Sequence, residues 1–171
     1  MNTIEFKIYV ANLGKYNEGK MVGEWINLPA TEEELEEVLD KIGIEEGCDE
    51  YFIPAYENEF GYKVDEYADL EELNELADTL DNLTDNEKKI LEAGTELWSF
   101  EDVLDNLDDF ILMEDINTDY DLGYYWIEES GCYDLDNLGM LKNYINYEAF
   151  GRDIRFETDG GFTSYGWIER H

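Results

Sequence analysis

The stretch "IEFKIYVANLGKYNEGKMVGEWINLPATEEELEEVLDKIG", residues 4–43, sets the fold class. Its first seven residues alternate: Ile4, Phe6, Ile8 and Val10 are apolar, with Glu5, Lys7 and Tyr9 between them. A period of two predicts a half-buried strand. "NEGK" (17–20) has the Asn and Gly of a connection, and "MVGEWINL" (21–28) reads as a second strand. The period then changes. Thr31 and Glu34 form a capping box ahead of Leu35, Val38, Leu39 and Ile42, which keep helical spacing. A helix is expected over about 32–42, stopped by Gly43. "EYFIPAYE" (50–57) reads as a third strand, with Pro54 marking a sheet edge. These elements make a small α+β unit over 1–62.

Working outward, Leu70, Leu73, Leu76, Ala77 and Leu80 form one apolar stripe of a helix. Thr84 and Glu87 make a second capping box, opening a short helix that Gly94 ends. Ser99 caps a third helix, with Phe100, Val103, Leu104 and Leu107 inward. These helices predict a helical domain over 63–107. "FILM" (110–113) is a candidate strand, and Tyr120, Gly123, Tyr124 and Ile127 repeat with a helical period, with Asp119 as cap and Gly131 as stop. Residues 135–154 hold a helix or helical turns. "IRFE", "TDGG" and "FTSYGWIE" read as a closing hairpin. The expected architecture is therefore α+β, with three small domains in an elongated chain: 1–62, 63–107 and 108–171.

The charge is extreme. Among 171 residues, Asp and Glu total 45 and Lys and Arg total 11, a formal net charge of -34. Disorder could follow from such repulsion, but 43% hydrophobic and 15% aromatic residues are enough to build cores. The charge is also zoned. Residues 65–136 hold 25 acids against Lys88 and Lys89, whereas 137–171 hold 5 acids and 4 bases. Such a surface repels nucleic acid and anionic membranes, and its natural partner is a cationic groove on another protein. No apolar run is long enough to span a bilayer, and "MNTIEFKIYV" lacks the pattern of a signal peptide. Cys48 and Cys132 lie far apart without metal spacing, so reduced thiols in a cytoplasmic protein are expected.

"NTDYDLGYYWIE" (117–128) places Asn117, Asp119, Asp121 and Glu128 near the ligand spacing of an EF-hand. The sixth position, where that loop needs Gly, is Leu122, and Gly123 comes one place late. The helical stripe through Tyr120 and Ile127 competes with a loop. An acidic calcium-binding or regulatory protein using 115–128 is the alternative reading. Catalysis finds little support: the single histidine is His171, no phosphate-cradling Gly loop is present, and no cofactor is implied. Carboxylate-pair hydrolysis is uninformative where acids are so abundant.

The charge itself suggests a function. Duplex DNA carries one charge per ~1.7 Å of axis, so a charge of -34 corresponds to roughly 58 Å, or about 17 base pairs. Exposed carboxylates could replace phosphates in a basic groove. The candidate acidic surface comprises Asp65, Asp69, Glu71, Glu72, Glu75, Asp78 and Asp81, then Asp85, Glu92, Glu101, Asp102, Asp105, Asp108 and Asp109. It continues through Glu114, Asp115, Asp119, Asp121, Glu128 and Glu129.

Two blocks carry a family likeness. "IYVANLGKYNEGKMVGEWINLPA" (8–30) and "LKNYINYEAFGRDI" (141–154) resemble the ArdA antirestriction proteins of conjugative elements. The resemblance implies a non-enzymatic, cytoplasmic DNA mimic that inhibits type I restriction-modification enzymes. Such a protein occupies the groove formed by the specificity and modification subunits. It further implies three small domains in a curved homodimer whose C-terminal domains meet. The segment 126–140 corresponds to the family's antirestriction motif, with Trp126, Ile127, Glu128, Glu129, Leu135, Leu138 and Met140 as candidate residues.

Overall fold

The computed structural model describes residues 4–44 and 50–171. Cys48 lies outside the described residues. The protein is mixed α+β, with two small antiparallel sheets among the described residues. It divides into two compact units, Met1–Leu83 and Thr84–His171.

In the first unit, strands β1 (Phe6–Asn12), β2 (Gly23–Asn27) and β3 (Tyr51–Asn58) pair in the order β2-β1-β3. Phe6, Ile8 and Val10 are buried, as their alternation predicts. Pro54 lies on an edge strand, where no ladder donor is missed. It also falls at an irregularity: Tyr9 pairs with Ala55 but Ala11 with Phe52, so Ile53 and Pro54 together oppose Val10. Asn12 is buried, and both ends of its amide are used. Its Oδ1 accepts from Lys15 N (3.0 Å), capping the short helix α1 (Leu13–Asn17), and its Nδ2 donates to Ile42 O (3.0 Å). Helix α2 (Glu32–Lys41) starts at the expected Thr31–Glu34 box and buries Leu35 and Val38.

Helix α3 (Leu70–Asp81) belongs to this unit. Asn74 Oδ1 accepts from Ala30 N (2.7 Å) and its Nδ2 donates to Ala30 O (3.0 Å). Tyr51 Oη accepts from Leu70 N (2.9 Å), satisfying an otherwise open helix-start donor. Leu70, Leu73, Ala77 and Leu80 are buried. The division between units therefore falls inside the 63–107 segment read from sequence as one helical domain.

The second unit opens with α4 (Asp85–Gly94), begun by the Thr84–Glu87 box, and α5 (Phe100–Asp105), capped by Ser99. Strand β4 (Phe110–Met113) joins β5 (Gly160–Thr163) and β6 (Gly166–Arg170) in the order β4-β6-β5. Trp167 and Ile168 on the central strand are fully buried. Helix α6 (Asp119–Tyr124) runs into a π-helical turn (Tyr125–Glu129). A 3₁₀ segment (Gly139–Tyr144) precedes α7 (Tyr147–Glu157).

Helices α6 and α7 cross almost backbone to backbone. A Cβ at Gly123 would lie 1.8 Å from Tyr147 O, and one at Gly151 would lie 1.7 Å from Asp119 O. Only glycine fits at either position.

Three local expectations are corrected. The cap of α6 is Thr118, whose Oγ1 accepts from Asp121 N (3.1 Å); Asp119 is the first helical residue and turns to Arg155 instead. "IRFE" is the last turn of α7 and no strand. Asn146 caps that helix, and the Thr158 N to Ile154 O bond (3.0 Å) carries the helical ladder through it. "TDGG" is no turn at its glycines: Gly160 and Gly161 pair with Glu169 and Ile168, and the hairpin reverses at Ser164–Tyr165.

Candidate functional site

The short helices explain how so much acid is folded at low cost. Helices α2 to α6 each begin with a Ser, Thr or Asp cap that accepts from a backbone N–H. Each carries two or three carboxylates in its first turn, where the helix dipole is positive. Glu87 shows the effect: bonding from the Thr84 backbone N–H holds its carboxyl below the ordinary value.

None of the twenty candidate acids is buried. In the first unit, Asp65, Asp69, Glu71, Glu72, Glu75 and Asp78 are exposed and Asp81 is half-buried. Asp65 and Asp69 also order the local chain, accepting from Tyr67 N (2.8 Å) and Glu72 N (3.1 Å). In the second unit, Asp85, Glu101, Asp105, Asp108, Glu114, Asp115 and Glu129 are exposed. Glu92, Asp102, Asp109, Asp119, Asp121 and Glu128 are half-buried.

Among the described residues, Asp102, Glu114, Asp119 and Glu128 pair with cations of the same unit. Asp102 accepts a forked pair of bonds from Arg170 (2.8 and 3.3 Å), and Asp119 one from Arg155 (2.7 and 3.1 Å). Glu114 pairs with Lys89 (3.0 Å) and Glu128 with Lys142 (3.3 Å). Glu128 also accepts a short bond from the Tyr147 hydroxyl. That bond lowers the Glu128 pKa and pushes the Tyr147 phenol up to about 12. The Arg155 bond likewise holds Asp119 below its ordinary range.

The carboxylates of the calcium reading are thus divided among separate partners. Asp119 faces Arg155, Asp121 accepts from Asn117 N (3.1 Å), and Glu128 faces Tyr147 and Lys142. Among the described residues, no group of three His, Cys, Asp or Glu side chains is arranged to hold a metal ion. Helix and π-helical turn occupy 119–129, where the loop would have to be.

The 126–140 residues do not form one surface type. Ile127 is buried, Trp126 is half-buried with its indole N–H buried and unpartnered, and Leu135 and Leu138 are half-buried. Met140 is exposed, and with Leu141 and Tyr144 (71%, 64% and 77% exposed) it leaves the 3₁₀ segment rich in open apolar surface. Cys132 is a free, exposed thiol.

One further acidic face lies outside the candidate set. Glu32, Glu33, Glu34, Glu36, Glu37 and Asp40 of α2 are all exposed. Glu32 and Glu36 share a groove of about 580 Å³ with Asp69, Glu71 and Glu75, over a floor that includes Leu35, Leu39 and Leu70. The signal was present in "EEELEE" itself. No described helix is long and apolar enough to cross a membrane.

The structure thus defines a small α+β protein with carboxylates across both units. Residues 8–169 match the family model described as antirestriction protein (ArdA). The chain belongs to the ArdA antirestriction family. No curated protein matches it.

Proposed function

We propose that this antirestriction protein is a DNA mimic that inhibits type I restriction-modification enzymes by occupying their DNA-binding groove. The observation that carries the reading is the exposed carboxylate array on both units. Residues 1–83 hold 23 acids and 5 bases, and residues 84–171 hold 22 and 6, giving -18 and -16. Among the described residues, no ion pair involves Glu71, Glu72, Glu75 or Asp78. A groove that binds phosphates gains counterion release and steering from such a surface.

In this reading the protein acts in the cytoplasm without catalysis. The segments 1–62, 63–107 and 108–171 are its proposed domains, with the middle one shared between the two compact units, and the candidate acids stand in for phosphates. It works as a homodimer through its C-terminal segment, where net charge is low and Met140, Leu141 and Tyr144 are exposed. The test is competition between the purified protein and a duplex for a type I enzyme. Binding should be saturable and should weaken by at least about tenfold between ~50 and ~200 mM salt. An enzyme whose DNA binding is unchanged at low salt would end the proposal.

A further inference from the structure

The stretch that mimics a calcium loop in sequence forms something else in space. Tyr120, Tyr124 and Tyr125 line an open cavity of about 450 Å³ together with Asp115, Asp121 and Glu129. That size lies within the ~300–1,000 Å³ of small-molecule sites. We propose that this cavity receives the guanidinium of an arginine side chain presented by a basic partner protein. The inference rests on the proposed function for the identity of that partner, and not for the site itself.

The geometry comes from the helix. Tyr120 and Tyr124 lie one turn apart on α6, with ring centroids 6.2 Å apart and planes 23° from parallel. They remain 50% and 40% exposed, so their ring surface is open to a ligand. Tyr147 props both rings from the α7 side, at 5.6 and 5.3 Å. At Tyr125 the chain enters the π-helical turn, where Ser130 N bonds to Tyr125 O (2.8 Å) instead of to Trp126 O. Such turns are frequent at functional sites. Here the turn spans Tyr125 to Glu129, both of which line the cavity.

The chemistry selects a cation. Tyrosine faces are electron-rich and attract a cation held over them. Asp115 and Glu129 are exposed and form no ion pair among the described residues. Asp121 uses one oxygen on Asn117 N and keeps the other. A planar guanidinium can lie flat on a ring while its in-plane fork donates two bonds to a carboxylate; the ammonium of lysine, as Lys7 shows between Trp25 and Glu57, meets both only as a strongly hydrated point charge. The chain's own arginines are engaged elsewhere: Arg152 with Asp153, Arg155 with Asp119 and Arg170 with Asp102. The occupant is therefore external. Unlike a phosphate mimic acting by charge alone, this site is an anchor that depends on ring surface.

The test uses the full chain and N-acetyl-arginine amide as probe, followed by tyrosine-ring NMR. The probe should shift the Tyr120, Tyr124 and Tyr125 ring signals saturably, and its uncharged citrulline counterpart should bind at least about tenfold more weakly. Tyr120→Leu with Tyr124→Leu should abolish the site while leaving net charge unchanged, and Tyr124→Phe should retain it. If the leucine variant does not fold, Asp115→Asn with Glu129→Gln, both exposed, must weaken the probe instead. Arginine binding unaffected by these changes, or shifts spread evenly over the acidic surface, overturns the inference. A second arm measures competition with DNA. Wild type that does inhibit the enzyme, but no better than the double leucine variant, also overturns it. Probe binding at the cavity without any inhibition by wild type leaves the site standing and removes the DNA-mimic reading.

Discussion

Replacing Gly151 by alanine should break the second unit at its tightest point. The added Cβ would lie 1.7 Å from Asp119 O, 2.7 Å from Asp119 C and 2.7 Å from Gly123 N. All three are backbone atoms of α6 or its start, so no side chain can swing away. Reaching the 3.0 Å that marks the lower limit of real contacts requires the helices to part by at least 1.3 Å at the oxygen. A gap of ~0.5–1 Å already forfeits a quarter to a half of each dispersion contact. With overpacking costs of about 1–3 kcal/mol and rigid atoms on both sides, the upper end applies, about 3 kcal/mol.

Urea unfolding followed by tryptophan fluorescence reads this directly, because Trp98, Trp126 and Trp167 lie in Thr84–His171 and only Trp25 lies in the other unit. At a slope of ~1–3 kcal/mol per molar urea, the midpoint should fall by about 1–3 M. Gly131→Ala is the control: nothing lies within 4 Å of its Cβ, and its φ of +75° imposes only the backbone strain of about 1–2 kcal/mol. Gly151→Ala should also weaken the arginine probe, since α6 carries Tyr120 and Tyr124. A Gly151→Ala protein as stable as Gly131→Ala, or more so, would refute the backbone crossing.

Two further perturbations concern pH. Glu169 is buried on β6, and desolvation raises its pKa above 4.5, with His171 offsetting part. The folded state therefore holds that proton more tightly than the unfolded one, and stability from this group falls as pH rises through the raised value. Glu169→Gln should stabilise the protein by about 1 kcal/mol at neutral pH and by almost nothing below pH 4, as thermal melts at the two conditions will show. Asp119 has the opposite sign. Its pKa is lowered from 3.8 by Arg155, so the stability it lends is present above 3.8 and is lost as pH falls through its lower folded value. Arg155→Met should lower the unfolding midpoint at pH 7, and the difference from wild type should shrink in acid below 3.8; a pH-independent difference would exclude the ion pair as its cause.

Much of the fold was legible because its signals are local. The alternation of β1, the Thr31–Glu34 and Thr84–Glu87 boxes and the Ser99 cap need only neighbouring residues, and all are observed. What escaped depends on contacts across the chain. Asn74 reaches Ala30 and Tyr51 reaches Leu70, and these bonds place α3 with the first sheet. No periodicity in 63–107 reveals them. "IRFE" has strand composition, but a cap eight residues earlier at Asn146 had already committed it to α7. The tyrosine cavity escaped for a related reason. Its stripe has the spacing of a helix face, and the π-helical turn that places Tyr125 and Glu129 beside it has no pattern in sequence.

The two blocks that carry the family likeness are explained by architecture before function. Asn12 in the first ties the end of β1 to the end of α2, and Gly151 in the second permits the α6–α7 crossing. The charge zoning also changes meaning. Residues 137–171 are nearly neutral in sequence, yet Arg155, Arg170 and Lys142 from that segment are committed to Asp119, Asp102 and Glu128 of the acidic middle. Those cations bond within the second unit and mask three of its carboxylates. The first unit keeps Glu71, Glu72, Glu75 and Asp78 free of ion pairs among the described residues, beside the exposed acids of α2. The two units thus carry similar net charge but use it differently: among the described residues the first has one ion-paired carboxylate, Glu57 with Lys7, while the second has five, Asp102, Glu114, Asp119, Glu128 and Asp153. A partner groove that reads charge alone would gain more per residue from the first unit, and an anchor built on tyrosine rings is what the second unit can add.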